Sequence, residues 1–409
     1  MRICLVDPAF LPHAPAGGQM LLLAQELARD HEVTVVASSV DPQLREHVRW
    51  VPITLSHGFV RGGFSLRRQS VLALAEMSRK EPPFDVVHTT FPVRVPAGAT
   101  RAHVVTWHYC AADAYRVWLH GGMRYRGRVW SNKFFYNVSG WLRRGPLPVV
   151  LERLEVWRSR SQTQLWVAVS RGLADALAAH LRVERQEIAV VPNAVHPRYF
   201  APPFEERETV RRKMGVSPGH LLAVTVAHGQ WNLKGTFELL AALRLVNVPL
   251  KLAVVGGSRL EHLRREVKAL GIEDRVFLCG FGDPLPYLVA ADAFVLPSWW
   301  ESFSLASAEA AAVGLPVISS GTHGVVEWLE HGQSGLFCER DAVSIARCLD
   351  LVGKDAELRR RLGHSAQKRV AQYTPQAMAR GYTRIYEELV SRGTLRVIAQ
   401  DPLQITEES

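Results

Sequence analysis

The stretch Pro297-Ser298-Trp299-Trp300-Glu301-Ser302-Phe303-Ser304-Leu305-Ala306-Ser307-Ala308-Glu309, running on to Gly314-Leu315-Pro316-Val317, decides how the rest of the chain is read. An apolar run, residues 290–296, stops at Pro297, which is the pattern of a buried parallel strand. A short polar segment follows. Ser304 is then placed to cap an alanine-rich helix that Gly314 ends. The two carboxylates therefore differ in setting: Glu301 lies in the loop off the strand's carboxyl end, and Glu309 lies inside the helix. On one continuous helix, eight residues would set them about 80° apart and about 12 Å along the axis. With the first on a loop, both can converge on one ligand. Between them, the backbone N–H groups of residues 303–305 open a helix and form a natural seat for phosphate. Phosphate at those amides, with one carboxylate for sugar hydroxyls and one for ribose hydroxyls, fits a nucleotide-sugar. An ordinary strand–loop–helix unit with solvated carboxylates fits the same letters.

The totals set the frame. A chain of 409 residues is long enough for two domains, and 47% hydrophobic with 22% charged residues is an ordinary globular composition. The net charge of +10 suits a phosphate-bearing ligand, an anionic membrane or nucleic acid, without choosing among them. Cys4, Cys110, Cys279, Cys338 and Cys348 are scattered and contain no CxxC, which argues for a reducing compartment and against structural zinc. The apolar start meets Asp7 too soon for a signal peptide, and no window holds 18 apolar residues. The expectation is a cytoplasmic protein.

From the amino terminus, residues 3–6 read as a strand, 12–19 as a loop ending in Gly17-Gly18, 20–29 as a helix and 33–37 as a second strand, a doubly wound opening. The paired glycines would let the backbone approach a ligand, although a plain turn fits equally. Ile53 and Leu55 suggest a further strand, and residues 66–80 a helix. Residues 85–88 and 104–108 are short buried strands, the second delivering His108 at its carboxyl end, where open α/β sheets place ligands. Residues 116–160 interrupt the alternation. They carry nine Arg, Lys133 and only Glu152 and Glu155, a net +8, interleaved with Trp118, Tyr125, Trp130, Phe134, Phe135, Tyr136, Trp141 and Trp157. This composition fits a surface for anionic membrane. It also fits nucleic acid, although no nucleic-acid motif accompanies it, or a helical excursion with solvated arginines. After strands at 165–170 and 188–193, the proline-bearing segment 196–208 is the linker candidate. A second series of βα units runs from 221 to 371, and a last helix covers 376–392, with the final ten residues expected to fray.

Glu301-x7-Glu309 followed by Gly314-Leu315-Pro316-Val317 resembles the signature of the retaining glycosyltransferases of family 4, which have the GT-B fold: α/β, with two doubly wound Rossmann-like domains facing a central cleft. Gly17-Gly18, His108, Val169-Ser170, Val191-Pro192-Asn193, Lys234-Gly235, Gly256-Gly257, Arg275-Val276 and Gly335-Leu336 fall in the family's order, so the resemblance spans nearly the whole chain. It implies an acceptor-side domain over 1–195, a nucleotide-sugar domain over 196–372 and a terminal helical segment, 373–409, crossing back to the first.

The resemblance also implies roles. Glu309 would hold the ribose hydroxyls, Glu301 a donor-sugar hydroxyl, and the amides of Phe303, Ser304 and Leu305 the diphosphate and sugar. Lys234 would neutralise the diphosphate as the sugar–phosphate bond breaks. The Val276 backbone would meet the base, Gly17 and Gly18 would face the diphosphate, and His108 would sit near the reacting sugar. Lys234 also reads as a surface lysine before a helix, and His108 as a satisfied core histidine. The chain departs from the family pattern at three places. His228 stands where Arg is frequent and still donates a hydrogen bond. Asn193-Ala194-Val195-His196 replaces Asn-Gly-Val-Asp, and Ser304 replaces a common glycine.

The implied reaction moves a sugar from a nucleotide diphosphate, UDP by family frequency, to a hydroxyl of a glycan or lipid-linked acceptor with retention of configuration. No cofactor is implied. With no Asp-x-Asp in the sequence, Lys234 and helix dipoles supply the positive charge in place of a metal. Residues 116–160 could add a peripheral contact with the inner face of a cell membrane. A non-catalytic nucleotide-sugar scaffold and a GT-B epimerase share the fold, and a nucleic-acid-binding protein would explain the charge but not the ordered motifs.

Overall fold

The computed structural model describes residues 1–12, 14–56, 59–111, 113–115, 124–125, 128–129, 146–227, 229–257 and 260–392. They divide into two compact units. Of the described residues, those within 1–115, 146–194 and 373–392 form one; those at 124–125 and 128–129 and within 195–372 form the other.

The first unit is built on a seven-stranded parallel sheet. From one edge to the other its strands are Ile188–Val190, Leu165–Ala168, Thr100–Trp107, Phe84–Thr89, Arg2–Val6, Glu32–Ala37 and Arg49–Pro52. Numbered along the chain this is 7-6-5-4-1-2-3, the doubly wound order, and its direction reverses between Arg2–Val6 and Phe84–Thr89. The alternation of strand side chains explains how two layers of helix are held. Ile3 and Leu5 point into a core shared with Met20, Leu23, Leu27, Met378, Tyr382 and Tyr386. Cys4 and Val6 point the other way, towards Leu66, Leu74 and Met77. The third strand ends at Pro52, ahead of the expected Ile53 and Leu55. Ile53 still donates its N–H to the Ala37 carbonyl at 3.1 Å and buries its side chain.

The terminal helix Pro375–Arg392 completes the first unit. Its Tyr386 hydroxyl meets His88 Nδ1 at 2.6 Å, and its Tyr382 hydroxyl meets Thr106 Oγ1 at 2.9 Å. His88 Nε2 meets the same Thr106 hydroxyl at 2.7 Å. All four side chains are buried, so the helix is keyed to two central strands by a closed polar network inside an apolar core. Burial, then the nearby His108 and His103, pushes the His88 pKa down to about 3, so the ring is neutral.

The second unit has a six-stranded parallel sheet in the order Val276–Gly280, Leu250–Val255, Leu221–Val226, Ala293–Leu296, Val317–Ser319 and Gly335–Phe337. Counted within this unit the order is 3-2-1-4-5-6, so the direction reverses between Leu221–Val226 and Ala293–Leu296. These strands are buried on both faces, which is why they read as continuous apolar runs. No described helix is long and apolar enough to cross a membrane. Of the basic aromatic segment 116–160, residues 116–123, 126–127 and 130–145 lie outside the described residues.

Candidate functional site

The site grows out of the reversal point of the second sheet. Ala293–Leu296 is fully buried and ends at Pro297, which has no N–H to extend the ladder. The loop from the neighbouring strand Leu221–Val226 is drawn against this end. Trp299 donates its N–H to the Leu233 carbonyl at 2.7 Å. Gly235 has φ of +65°, and a Cβ there would lie 2.1 Å from the Pro297 carbonyl oxygen. Only glycine satisfies both conditions, so Gly235 is what lets Lys234 reach across. The Lys234 ammonium then donates to Glu301 Oε1 at 2.7 Å, and the Ser298 hydroxyl donates to the same oxygen at 2.7 Å. Glu301 is buried, and this pairing is what makes its carboxylate tolerable there.

Below Glu301 the loop is locked from the other side. The Ser298 carbonyl accepts from the Ser320 hydroxyl, and from Arg340 Nε at 3.2 Å. The Arg340 guanidinium lies 5.3 Å from the centre of the Trp299 ring. Gly324 donates its N–H to Ser302 at 3.1 Å and packs so closely that a Cβ would fall 2.5 Å from the Phe303 Cα.

The helix Leu305–Ala312 follows, its alanines 308 and 310–312 wholly buried. Ser304 precedes it, but not as the cap the spacing predicts. Its backbone is left-handed, with φ and ψ both 64°, and its hydroxyl meets Ser307 Oγ at 2.7 Å instead of accepting a backbone N–H. Ser170 shows the ordinary arrangement, with extended backbone and an Oγ that accepts from Leu173 N at 3.1 Å. The left-handed turn at Ser304 gives the physical reason a glycine suits this position.

Glu309 is engaged by different partners from Glu301. Burial pushes its carboxyl pKa up to about 8, opposed by the Arg198 charge and the nearby Tyr199 hydroxyl. Arg198 in turn forks onto Asp283 at 2.8 and 3.1 Å.

Other residues singled out from the sequence fall elsewhere. Val276 opens its strand, pairing with Leu252 in the middle of Leu250–Val255, and so lies at the amino end, away from the ends that carry Lys234 and Glu301. The carboxyl end of that strand is Gly280, followed by an exposed Phe281. His228 lies outside the described residues. Gly17 and Gly18 are not the end of a loop: the helix begins at Pro15 and holds both in its first turn. Gly18 donates to the Ala14 carbonyl at 2.7 Å. A Cβ on Gly17 would fall 1.7 Å from the Ala9 carbonyl oxygen, so that glycine answers a close approach of the protein's own backbone. His108 follows Thr100–Trp107, one strand away from the first sheet's reversal point. Burial pushes its pKa down to about 4, and its Nε2 has no hydrogen-bond partner among the described residues. On the same rim the buried Asp7 accepts from the Thr90 hydroxyl and from Ala9 N, at 3.1 Å for the latter, and burial pushes its pKa up to about 6.

Sequence reasoning missed Ser298, Arg198, Tyr199, Asp283 and Asp7. Ser298 stood in the quoted stretch three residues before Glu301, the one local signal available. Asp7 meets Thr90, and Arg198 meets Asp283, across separations no local pattern shows.

Two family models match the chain, one described as Glycosyltransferase Family 4 over residues 17–199 and one as Glycosyl transferases group 1 over 206–369. The chain belongs to glycosyltransferase family 4. Among solved structures, sucrose-phosphate synthase from Thermosynechococcus elongatus superposes with a TM-score of 0.76 at 19% identity, over 96% of this chain and 99% of that one. The Anabaena protein HepE, in complex with UDP and glucose, gives 0.70 at 16% identity over 95% and 100%. The fold of this family-4 chain is therefore GT-B. Among curated relatives, N-acetyl-alpha-D-glucosaminyl L-malate synthase from Bacillus anthracis is 29% identical over 56% of this chain and 61% of its own length. The chain spans little more than half the length of other curated relatives it matches, 54% and 53% in two cases.

Proposed function

We propose that the protein is a retaining glycosyltransferase that moves a sugar from a nucleotide-diphosphate sugar to a hydroxyl of a glycan or glycolipid acceptor. The observation that carries this reading is the Lys234–Glu301–Ser298 cluster at the reversal point of the second sheet, directly ahead of the helix that bears Glu309. Ligands of doubly wound sheets bind at such points. A cation, two carboxylates and a helix start supply partners for diphosphate, sugar hydroxyls and ribose hydroxyls.

In the proposed chemistry the bond between the anomeric carbon and the diphosphate oxygen breaks, and the acceptor oxygen bonds to the same face of the sugar. The acceptor proton passes to the departing diphosphate. Lys234 neutralises the charge that develops there, the work a metal would otherwise do. Glu301 orients the sugar, and the amides of Phe303, Ser304 and Leu305 contact the diphosphate. The backbone at Gly280 and Phe281, at the ligand end of its strand, takes the place assigned to Val276 at the base. His108 is the first unit's candidate for a substrate hydroxyl, because its buried Nε2 needs a partner. The HepE complex with UDP makes UDP the donor nucleotide to try first.

The deciding experiment is a thermal-shift screen of UDP-, ADP- and GDP-sugars, followed by assay of nucleotide diphosphate release. Release that requires an acceptor supports a transferase. A donor that binds without release under any acceptor supports the scaffold reading.

A further inference from the structure

The strands Ala293–Leu296, Val317–Ser319 and Gly335–Phe337 are parallel neighbours, so their carboxyl ends share one rim of the second sheet. Ser298, Ser320 and Arg340 follow those three ends in turn, and they meet at one atom. The Ser298 carbonyl oxygen accepts from the Ser320 hydroxyl and from Arg340 Nε, the latter at 3.2 Å. Neighbouring strands lie about 4.8 Å apart, so Arg340 reaches across the whole intervening strand end. A carbonyl oxygen has two lone pairs, and these two donors take both. The Arg340 guanidinium lies 5.3 Å from the centre of the Trp299 ring, on the same loop. Ser298 and Ser320 are buried.

Ser298 carries this grip into the site. A serine has a single torsion between its backbone and its oxygen, so a fixed carbonyl leaves the hydroxyl little freedom. That hydroxyl donates to Glu301 Oε1 at 2.7 Å, the oxygen that Lys234 also holds at 2.7 Å. No described residue donates to Glu301 Oε2. The rest of the loop is anchored separately. The Ser302 carbonyl accepts from Gly324 N at 3.1 Å, and the Ser304 hydroxyl meets Ser307 Oγ at 2.7 Å. A disturbance at the Ser298 carbonyl therefore reaches Glu301 before it reaches the amides of Phe303, Ser304 and Leu305.

We propose that Arg340 is a positioning residue for the sugar half of the donor: its Nε fixes Ser298, Ser298 fixes Glu301 through Oε1, and Oε2 is thereby kept for a donor-sugar hydroxyl. Ser320 shares the task. The proposal rests on the donor reading above and adds a dependence that reading does not require, since affinity for the sugar, apart from affinity for the nucleoside diphosphate, depends on a side chain beyond the last strand of the sheet. The role of the Nε donor can be isolated. A glutamine amide nitrogen stands as many bonds from Cα as arginine Nε and also donates, whereas methionine is of similar length and has no donor.

The test is calorimetric titration of the whole protein with UDP and UDP-glucose, with ADP and ADP-glucose, and with GDP and GDP-mannose, the pair that binds wild type being carried forward. Arg340→Met should weaken the nucleotide-sugar about tenfold, the effect of losing one well-placed hydrogen bond, and change the free nucleoside diphosphate by less than about twofold. Arg340→Gln should keep both affinities within about twofold of wild type. If Arg340→Met weakens both ligands alike or changes neither, or if Arg340→Gln loses as much as Arg340→Met, the assignment is overturned. If Arg340→Met does not fold, Ser320→Ala decides: a selective loss of about threefold for the nucleotide-sugar upholds the assignment, and an unchanged ratio overturns it. If wild type binds none of the six ligands, the donor reading fails and takes this inference with it.

Discussion

Lys234 and Glu301 hold each other in a place where neither is well hydrated, so neither can be removed without exposing the need of the other. Lys234→Ala leaves a buried carboxylate with Ser298 alone, which should lower both stability and turnover. Lys234→Ala and Glu309→Ala should each lose at least about 2 kcal/mol of transition-state stabilisation, roughly thirtyfold in kcat/KM. Transferase assays in which both variants match the wild type would remove the site assignment. Ser304 offers the opposite test, since its left-handed backbone strains a side chain that does not cap. Ser304→Gly should be neutral to stabilising by about 1 kcal/mol in chemical denaturation, and Ser304→Val destabilising, because a β-branched residue fits that backbone worst. At this scale the spacing of two glutamates eight apart, and the resemblance at Lys234-Gly235, point to the candidate site residues. The neighbours that hold the loop are not visible in the sequence: Ser320 grips the Ser298 carbonyl and Arg340 reaches the same oxygen. No periodicity links residues that only the fold brings together.

The helix Pro375–Arg392 shows how one element can carry a polar key. Tyr386→Phe strands His88 Nδ1 inside the core and should cost about 1–3 kcal/mol in denaturant melts. The same network predicts an acid response. His88, with its pKa near 3, and His103 and His108, with theirs near 4, are held below the ordinary histidine value by burial. The native state therefore binds fewer protons than the unfolded chain, and stability falls as pH drops below about 6.5. Hydrogen exchange at pH 5 should show protection lost in residues 84–107 and 375–392 before the second sheet; equal loss in both units would contradict this. Most elements were legible as apolar runs or helical periods, the last helix among them. Boundaries were less so. The helix after the first strand starts at Pro15 and not after the glycines, because proline at a first turn and a backbone approach at Gly17 look, in letters, like a loop. The resemblance sets Val276 at the base, but the register of its strand puts it at the amino end.

At the scale of the molecule, two sheets of doubly wound order account for the length and the alternation of apolar runs, and this was readable because parallel strands buried on both faces leave a strong signal. The charge of +10 was visible too, but a total does not say where it acts. If residues 116–160 dock on anionic lipid, binding to phosphatidylserine vesicles should fall steeply between 50 and 300 mM salt, by roughly tenfold or more, as exposed charge pairs are screened. Binding that ignores salt, or is absent, would return that segment to a plain excursion.

The placement of the terminal helix has a bearing on how the chain is made. A ribosome releases the opening half first, yet that half lacks one wall of its core until residue 392 has emerged. The nascent first unit must therefore wait, partly unroofed, while the second is synthesised and can close by itself. A premature stop codon near residue 373 would spare the younger half and cripple the older one.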